Sequence, residues 1–284
     1  MTNKIISFTS LILAAAFLFS CSSDDNNDEG GNSTSEVTTS DQYRDLEAAT
    51  DQINDLTSGA INTGVRMRFS ENLNQKMNDC YTISQELNND QTGGTVTIDF
   101  GNGCEVEGGD IMSGKILMSF SLNLDGENIS ITSDQTMENL IFNDMNVNGT
   151  TKLVISLTAQ GSETITSTSK IDFSWADGLT ATIEEDSKNE LFMNNDTFEF
   201  YTLITSNGTA IFSNGDVFSF TTETPLRFED TCEYPVSGVI INKENTAVKT
   251  LNFGDGECDS MVSVTDNEGN TTAVDLETDE DLVF

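Results

Sequence analysis

The sequence has no histidine, two prolines, one tryptophan, and 12 lysines and arginines against 48 aspartates and glutamates. Without imidazole it lacks the commonest general base, the usual nitrogen ligand for metals, and every Ser-His or Cys-His nucleophile pair. A net charge of −36 repels phosphate backbones and anionic headgroups, which argues against nucleic acid as a partner. One Trp and four Tyr supply few platforms on which sugars or unpaired bases could stack. The 17 Phe read as core. Much ordinary enzymology is thereby removed, and the expectation is a protein that is not an enzyme, with no cofactor, no metal site and no catalytic residues.

The N-terminus carries the sharpest motif. Lys4 supplies a positive start, and Ile5 to Phe19 is mostly apolar but only about 15 residues long, short of a comfortable membrane span. It therefore reads as an export signal. Its end, Leu18-Phe19-Ser20-Cys21, resembles the lipobox of bacterial lipoproteins, although Phe19 stands where a small or aliphatic residue is usual. The resemblance implies a signal peptide over residues 1–20, cleavage before Cys21, and acyl chains such as palmitate on that cysteine. The alternative is an ordinary secretory signal. The stretch that follows, Ser22-Ser23-Asp24-Asp25-Asn26-Asn27-Asp28-Glu29-Gly30-Gly31, is too polar to pack, so residues 21–39 read as a solvated acidic tether. Serine followed by acids after the lipidated cysteine also resembles the surface-export signal of Bacteroidota lipoproteins. The expected location is the outer membrane, lipid-anchored, on its outer face; a plain tether leaves the periplasmic face open.

Residues 40–284 read as one β-rich domain. From Ser40 to about Ser58 the spacing is helical, with Tyr43, Leu46, Ala49, Ile53 and Leu56 on one stripe, Ser40 or Asp41 as cap, and Gly59 as terminator. After about Asp79 the period becomes two. Val96, Ile98 and Phe100 alternate with polar neighbours, as do Ile116 to Leu124, Leu153 to Leu157, Ile171 to Trp175, and Phe198 with Phe200. Such strands bury one face and present a Ser/Thr/Asn face to water. Asp125-Gly126, Asn148-Gly149, Asp177-Gly178, Asn207-Gly208 and Asn214-Gly215 suit tight hairpins, since both residue types tolerate positive φ. The predicted fold is mainly β: a large curved antiparallel β-meander sheet with one N-terminal helix over part of its apolar face. A partly closed barrel and a sandwich are the alternatives.

The cysteines lie in an internal repeat. Cys80, then Phe100-Gly101-Asn102-Gly103-Cys104, is echoed by Cys232, then Phe253-Gly254-Asp255-Gly256-Glu257-Cys258. With Cys21 lipidated, four cysteines remain in an oxidising compartment, and four allow three pairings. The midpoints of the intervals 80–104 and 232–258 fall in the turn-like segments Asn88–Gly94 and Asn242–Ala247. Each pair would therefore face across the open end of its own hairpin, at a spacing a disulfide accepts. Bridges between the repeats are the alternative.

Asp79-Cys80, the Phe-Gly-Asn-Gly-Cys ending at Cys104, Thr224-Pro225-Leu226, and Cys232-Glu233-Tyr234-Pro235-Val236-Ser237-Gly238 with the second repeat together resemble a widespread group of Bacteroidota lipoproteins. The likeness covers roughly residues 79 to 276, and its motifs are structural. It implies fold and location, and no activity. Three constellations compete with purely structural readings. Asp255, Glu257 and Asp259 could hold Ca²⁺ but lack the later glycine and glutamate of an EF-hand loop, so a solvated acidic turn is the plainer reading. The Asn-Gly-Thr triplets at Asn148 and Asn207 match a glycosylation acceptor and read more simply as turns. Asp259-Ser260-Met261 resembles a Bacteroidota O-glycosylation site. The expectation is a membrane-anchored, non-enzymatic binding or structural module of the cell envelope, partnered by the membrane through its lipid and by another envelope or extracellular macromolecule. A carrier of an apolar ligand in a concave β face, and a carboxylate-dependent hydrolase, are the alternatives.

Overall fold

The computed structural model describes residues 39–66, 74–77, 80–90, 92–106, 108–126, 128–158, 162–193 and 200–277. The export signal, Cys21, the tether and Phe198 lie outside the described residues. Among the described residues one helix, α1 (Thr39–Arg66), precedes fourteen strands. These are β1 (Asn74–Met77), β2 (Tyr81–Leu87), β3 (Gly93–Glu105), β4 (Ile111–Asp125), β5 (Asn128–Phe142), β6 (Met145–Leu157), β7 (Glu163–Ser174), β8 (Thr180–Met193), β9 (Phe200–Phe212), β10 (Val217–Glu229), β11 (Ser237–Glu244), β12 (Ala247–Asp255), β13 (Met261–Thr265) and β14 (Thr271–Asp275). All pair antiparallel with their chain neighbours in a single sheet of order β1 to β14. The sheet is open, with β1 and β14 as its edges. No helix among the described residues is long and apolar enough to cross a membrane.

Strand alternation puts one set of side chains on the face that meets α1. Fourteen strands at about 4.8 Å spacing would extend roughly 60 Å if flat. Yet one continuous buried cluster runs from Val96 and Ile98 on β3, through Tyr43, Leu46 and Ile53 of α1, to Val262 and Val264 on β13 and Val274 on β14. A single helix about 10 Å wide cannot cover such a width if the sheet is flat, so the open sheet curls to bring its inner face around the helix. Register shifts supply bending points. One lies in β10 between Thr221 and Leu226 and contains Pro225, which has no N–H to give to a ladder. Each large apolar side chain buried in this way contributes about 1.5–3 kcal/mol.

The first turn of α1 is tied down by the hairpin ends. Gln42 Nε2 donates to Asp177 Oδ2 at 3.0 Å, Ser40 Oγ to Glu244 Oε1 at 3.2 Å, and Asn214 Nδ2 to Thr39 Oγ1 at 2.9 Å. Tyr43 stacks on Phe218 with ring centroids 4.4 Å apart. The helix is 28 residues long and does not stop at Ser58 as its sequence suggests. Gly59 is exposed and its lack of a side chain costs about 1 kcal/mol, while Ala60, one turn beyond Leu56 on the apolar stripe, is fully buried. Packing outweighs the local signal.

Two expected turns are also corrected. Asn148-Gly149 lies inside β6 and Asn207-Gly208 inside β9. A Cβ at Gly149 would sit 2.4 Å from the Lys170 carbonyl oxygen, and one at Gly208 would sit 2.2 Å from the Phe220 ring. Both glycines serve close approach rather than chain reversal. The β5–β6 hairpin turns instead at Asn143-Asp144, with φ of 45° and 69°, the paired positive values a type I′ turn needs. β1, a short strand with no apolar alternation, was not signalled by the sequence. The cysteines pair within each hairpin: Cys80 with Cys104, Cα atoms 5.3 Å apart, and Cys232 with Cys258 at 5.5 Å.

Gly59→Ala is expected to stabilise the fold by about 0.5–1 kcal/mol, and Gly149→Ala to destabilise it by about 1–3 kcal/mol through backbone overpacking. Denaturant unfolding under non-reducing conditions measures both, and equal effects would contradict the placement of the two glycines. Non-reducing peptide mapping should recover the 80–104 and 232–258 pairs.

Candidate functional site

Cross-strand register converts the inner face into rows of side chains, in which opposed residues lie about 5 Å apart. One row runs Gln135 (β5), Thr151 (β6), Ser169 (β7), Glu185 (β8), Gly208 (β9) and Phe220 (β10). The Phe220 ring crosses over Gly208, directly beside Glu185. The next row runs Ser133, Leu153, Ser167, Ser187 and Ser206, and the Ser206 N–H donates to Thr222 Oγ1 at 3.0 Å. Apolar rows flank this polar band. Ile116, Met137, Ile171, Ile183 and Ala210 lie on the side of the Tyr43–Phe218 stack, and Ile131, Ile155, Ile165, Asn189 and Ile204 on the other, where Asn189 interrupts the apolar run.

Many polar atoms in the band find no partner within the fold. Ser133 Oγ, Gln135 Oε1, Thr151 Oγ1 and Ser206 Oγ make no hydrogen bond, nor does Asn189 Oδ1 in the flanking row, and none of these residues is more than 6% exposed. Folded proteins satisfy nearly all such groups, because a buried polar atom left alone costs about 1–3 kcal/mol. Glu185, Ser187, Ser167, Ile155 and Ile165 face the same way yet are only partly buried, so the band opens to solvent over β7 and β8.

Helix α1 adds acid to this inner face. Glu47 and Asp51, one turn apart and so about 6 Å along the axis, lie beside the buried stripe and interact electrostatically with Glu185. Burial pushes the Glu185 carboxyl up to about 7, with Asp186 adding to the rise. Burial also holds Glu47 well above the ordinary carboxylate range, against the pull of the Tyr43 hydroxyl that donates to it. Asp51 is raised by burial first, then by Glu185 and Asp55. Three carboxyl groups thus share one poorly hydrated space. Lys249 lies four strands further along the Glu185 row, and burial lowers its pKa.

The residues singled out by sequence sit elsewhere. Cys21 lies outside the described residues, and Cys80, Cys104, Cys232 and Cys258 staple hairpin ends. Asp255, Glu257 and Asp259 form no metal-holding group, nor does any other set of His, Cys, Asp or Glu among the described residues; Asp259 Oδ1 accepts the Met261 N–H instead. Ser260 Oγ donates to Asp275 Oδ1 at 2.6 Å, which ties up the hydroxyl of the triplet that resembles a glycosylation site. Trp175 packs against Phe173 and Phe212. The outer face carries exposed polar pairs such as Thr168–Asp186 and Thr182–Asp172. Sequence reasoning missed Glu47, Asp51 and Glu185. Their available signal was interruption of the apolar alternation at matching heights: Ser133 and Gln135 between Ile131 and Met137, Ser167 and Ser169 between Ile165 and Ile171, and Glu185, Ser187 and Asn189 between Ile183 and Leu191.

Comparison with known protein families, curated proteins and solved structures finds no match.

A raised carboxyl makes stability depend on pH with a definite sign. Below about pH 4.5 Glu185 is protonated in both folded and unfolded chains. As pH rises from there through about 7, the unfolded chain has released a proton that the folded chain retains, so stability falls across this window. Glu185→Gln is expected to flatten this slope and to raise stability at pH 8 by on the order of 2–3 kcal/mol. Chemical unfolding of both proteins between pH 5 and pH 8 measures it, and parallel curves would show that Glu185 is ordinarily hydrated.

Proposed function

We propose that this chain is a non-enzymatic binding module of the cell envelope, anchored in the outer membrane by lipid on Cys21, which receives a small molecule in the hollow between α1 and the polar band. The observation that carries this reading is the set of buried, unpartnered side chains around an opening that reaches solvent. A partner from outside the chain satisfies them, as small-molecule sites place a few polar groups inside an otherwise apolar pocket. The likeness to Bacteroidota lipoproteins, in the signal and in the cysteine repeat, supports the anchored location.

The acids of the hollow also bring a carboxylate hydrolase to mind. Glycoside hydrolysis needs one carboxyl held protonated and a second held ionised, their environments pushing the two apart. Glu47, Asp51 and Glu185 are all pushed upward, and the one Trp is occupied in packing, which favours binding over turnover.

Cys21→Ala is expected to move the protein from the membrane to the soluble or unprocessed fraction and to abolish labelled fatty-acid incorporation; equal labelling would end the anchor assignment. Full-length protein isolated from membranes is expected to retain a non-covalent small molecule in native mass spectrometry and to show no turnover on ester, peptide and glycoside panels. Glycan hydrolysis lost in Glu185→Gln would replace the binding reading with the hydrolase.

A further inference from the structure

An open sheet ends in two edges, and β14 carries few of the usual guards. Natural edge strands resist pairing with other chains through short length, lysine, proline, bulges or an inward-pointing charge. β1 includes Lys76. β14 is Thr271-Thr272-Ala273-Val274-Asp275, and apart from its five-residue length it has no lysine, no proline and no bulge. Its register with β13 runs unbroken from Thr265↔Thr271 to Met261↔Asp275. Thr271, Thr272 and Ala273 are exposed.

Hydrogen bonds at the two ends of β14 fix which backbone groups face outward. The Asp266 N–H donates to the Asn270 carbonyl at 3.0 Å, and the Leu276 N–H to the Ser260 carbonyl at 2.9 Å. In an antiparallel ladder bonded pairs alternate with non-bonded ones. Thr272 and Val274 therefore turn their N–H and C=O toward β13, while Thr271 and Ala273 turn theirs away from the sheet. The edge is also held in shape. The Asp266 carboxylate accepts the N–H groups of Glu268 and Asn270, the Thr265 and Thr271 hydroxyls bond at 2.9 Å, and Ser260 Oγ donates to Asp275. A preorganised edge gives up little freedom on pairing.

The surroundings select a partner. Asp259, Asp266, Glu268, Asp275 and Glu277 lie in or beside β13 and β14, and from Thr250 to Glu277 the chain contains no lysine or arginine. A negative edge attracts a basic chain and sets two copies of itself against each other, acid to acid. Strand parity selects a pattern as well. Val274 is buried opposite Val262 on one face, and Asp275 lies on the other. A strand laid alongside presents its side chains to these two faces in turn.

We propose that β14 is a docking edge for an extended, basic segment of a partner protein, which adds as a further strand with lysine or arginine at every second position and β-branched residues between. Backbone bonds to Thr271 and Ala273 supply affinity, and the acids supply selectivity. This surface lies at the end of the sheet, apart from the hollow.

The test uses the full chain carrying Cys21→Ala and a synthetic peptide of alternating lysine and valine, in calorimetry and residue-resolved hydrogen exchange. The peptide is expected to bind one to one, to weaken about tenfold as salt rises from about 0.05 to 0.5 M, and to slow exchange of the Thr271 and Ala273 amides. A peptide with its lysines and valines in separate blocks, and one with glutamate replacing lysine, should each bind about tenfold more weakly or worse. Ala273→Pro removes an N–H that β13 does not use; it should keep the unfolding midpoint and weaken the peptide about tenfold. Asp134→Asn, at an exposed acid on β5, should change nothing. Equal binding by the blocked peptide, or by Ala273→Pro, would overturn edge pairing, and equal binding by the glutamate peptide would overturn the basic partner. Should Ala273→Pro fail to fold, exchange decides: Thr271 and Ala273 amides unaltered in the peptide-bound wild-type chain would remove the site. Dimers that protect these amides without peptide would give the edge to a second copy, and protection in the peptide-free monomer would give it to residues 278–284; either overturns the proposal.

Discussion

Covering one very wide sheet with a single helix is the constraint on which the rest of the molecule depends. A meander of fourteen strands has only two options for its apolar face: a second layer of comparable width, or curling until the face covers itself. With one helix among the described residues, curling is the option left, and the register shift around Pro225 supplies a bending point. The three hydrogen bonds that link Thr39, Ser40 and Gln42 with the hairpin ends then set the helix across the sheet at one height.

Setting the helix there leaves unequal coverage. The row nearest the Tyr43–Phe218 stack is buried and apolar, the middle rows are mostly polar, and the far rows mix aliphatic residues with Asn189, Glu163 and Thr202. A continuous apolar inner face would have been more stable, since replacing an orphaned buried hydroxyl by a well-packed apolar group of similar shape relieves a desolvation cost. Thr151, Ser206 and Gln135 each leave a buried polar atom without a partner, and on the same inner face burial discourages Glu185 from ionising; both cost stability.

The β-meander was legible because its evidence is local. Alternation of apolar and polar residues specifies a strand whatever surrounds it, and the Asp177-Gly178 and Asn214-Gly215 turns follow from two residues each. The disulfide pairs were legible because a hairpin brings symmetric positions together. The acid site was not, since Glu47 and Asp51 look like the solvated flank of an amphipathic helix and Glu185 lies in the run Glu184-Glu185-Asp186, where only strand parity distinguishes inside from outside. Asn148-Gly149 and Asn207-Gly208 misled for a related reason: the dipeptide permits a turn, but glycine also permits close packing, and the two uses look alike until the neighbouring strand is known.

Residue chemistry alone determined that this chain has no imidazole chemistry to offer, that most of it would be antiparallel strand, and that its N-terminal segment resembles a lipoprotein signal. These follow from composition and from periods of two and 3.6 residues, which need no partner to be read. Tertiary structure alone decided that α1 runs through Gly59, that the sheet stays open with β1 and β14 as edges, and that carboxyl groups more than 130 residues apart in sequence interact across one half-buried face. Each depends on which surfaces meet, and burial, unlike periodicity, is a property of a residue's neighbours rather than of the residue.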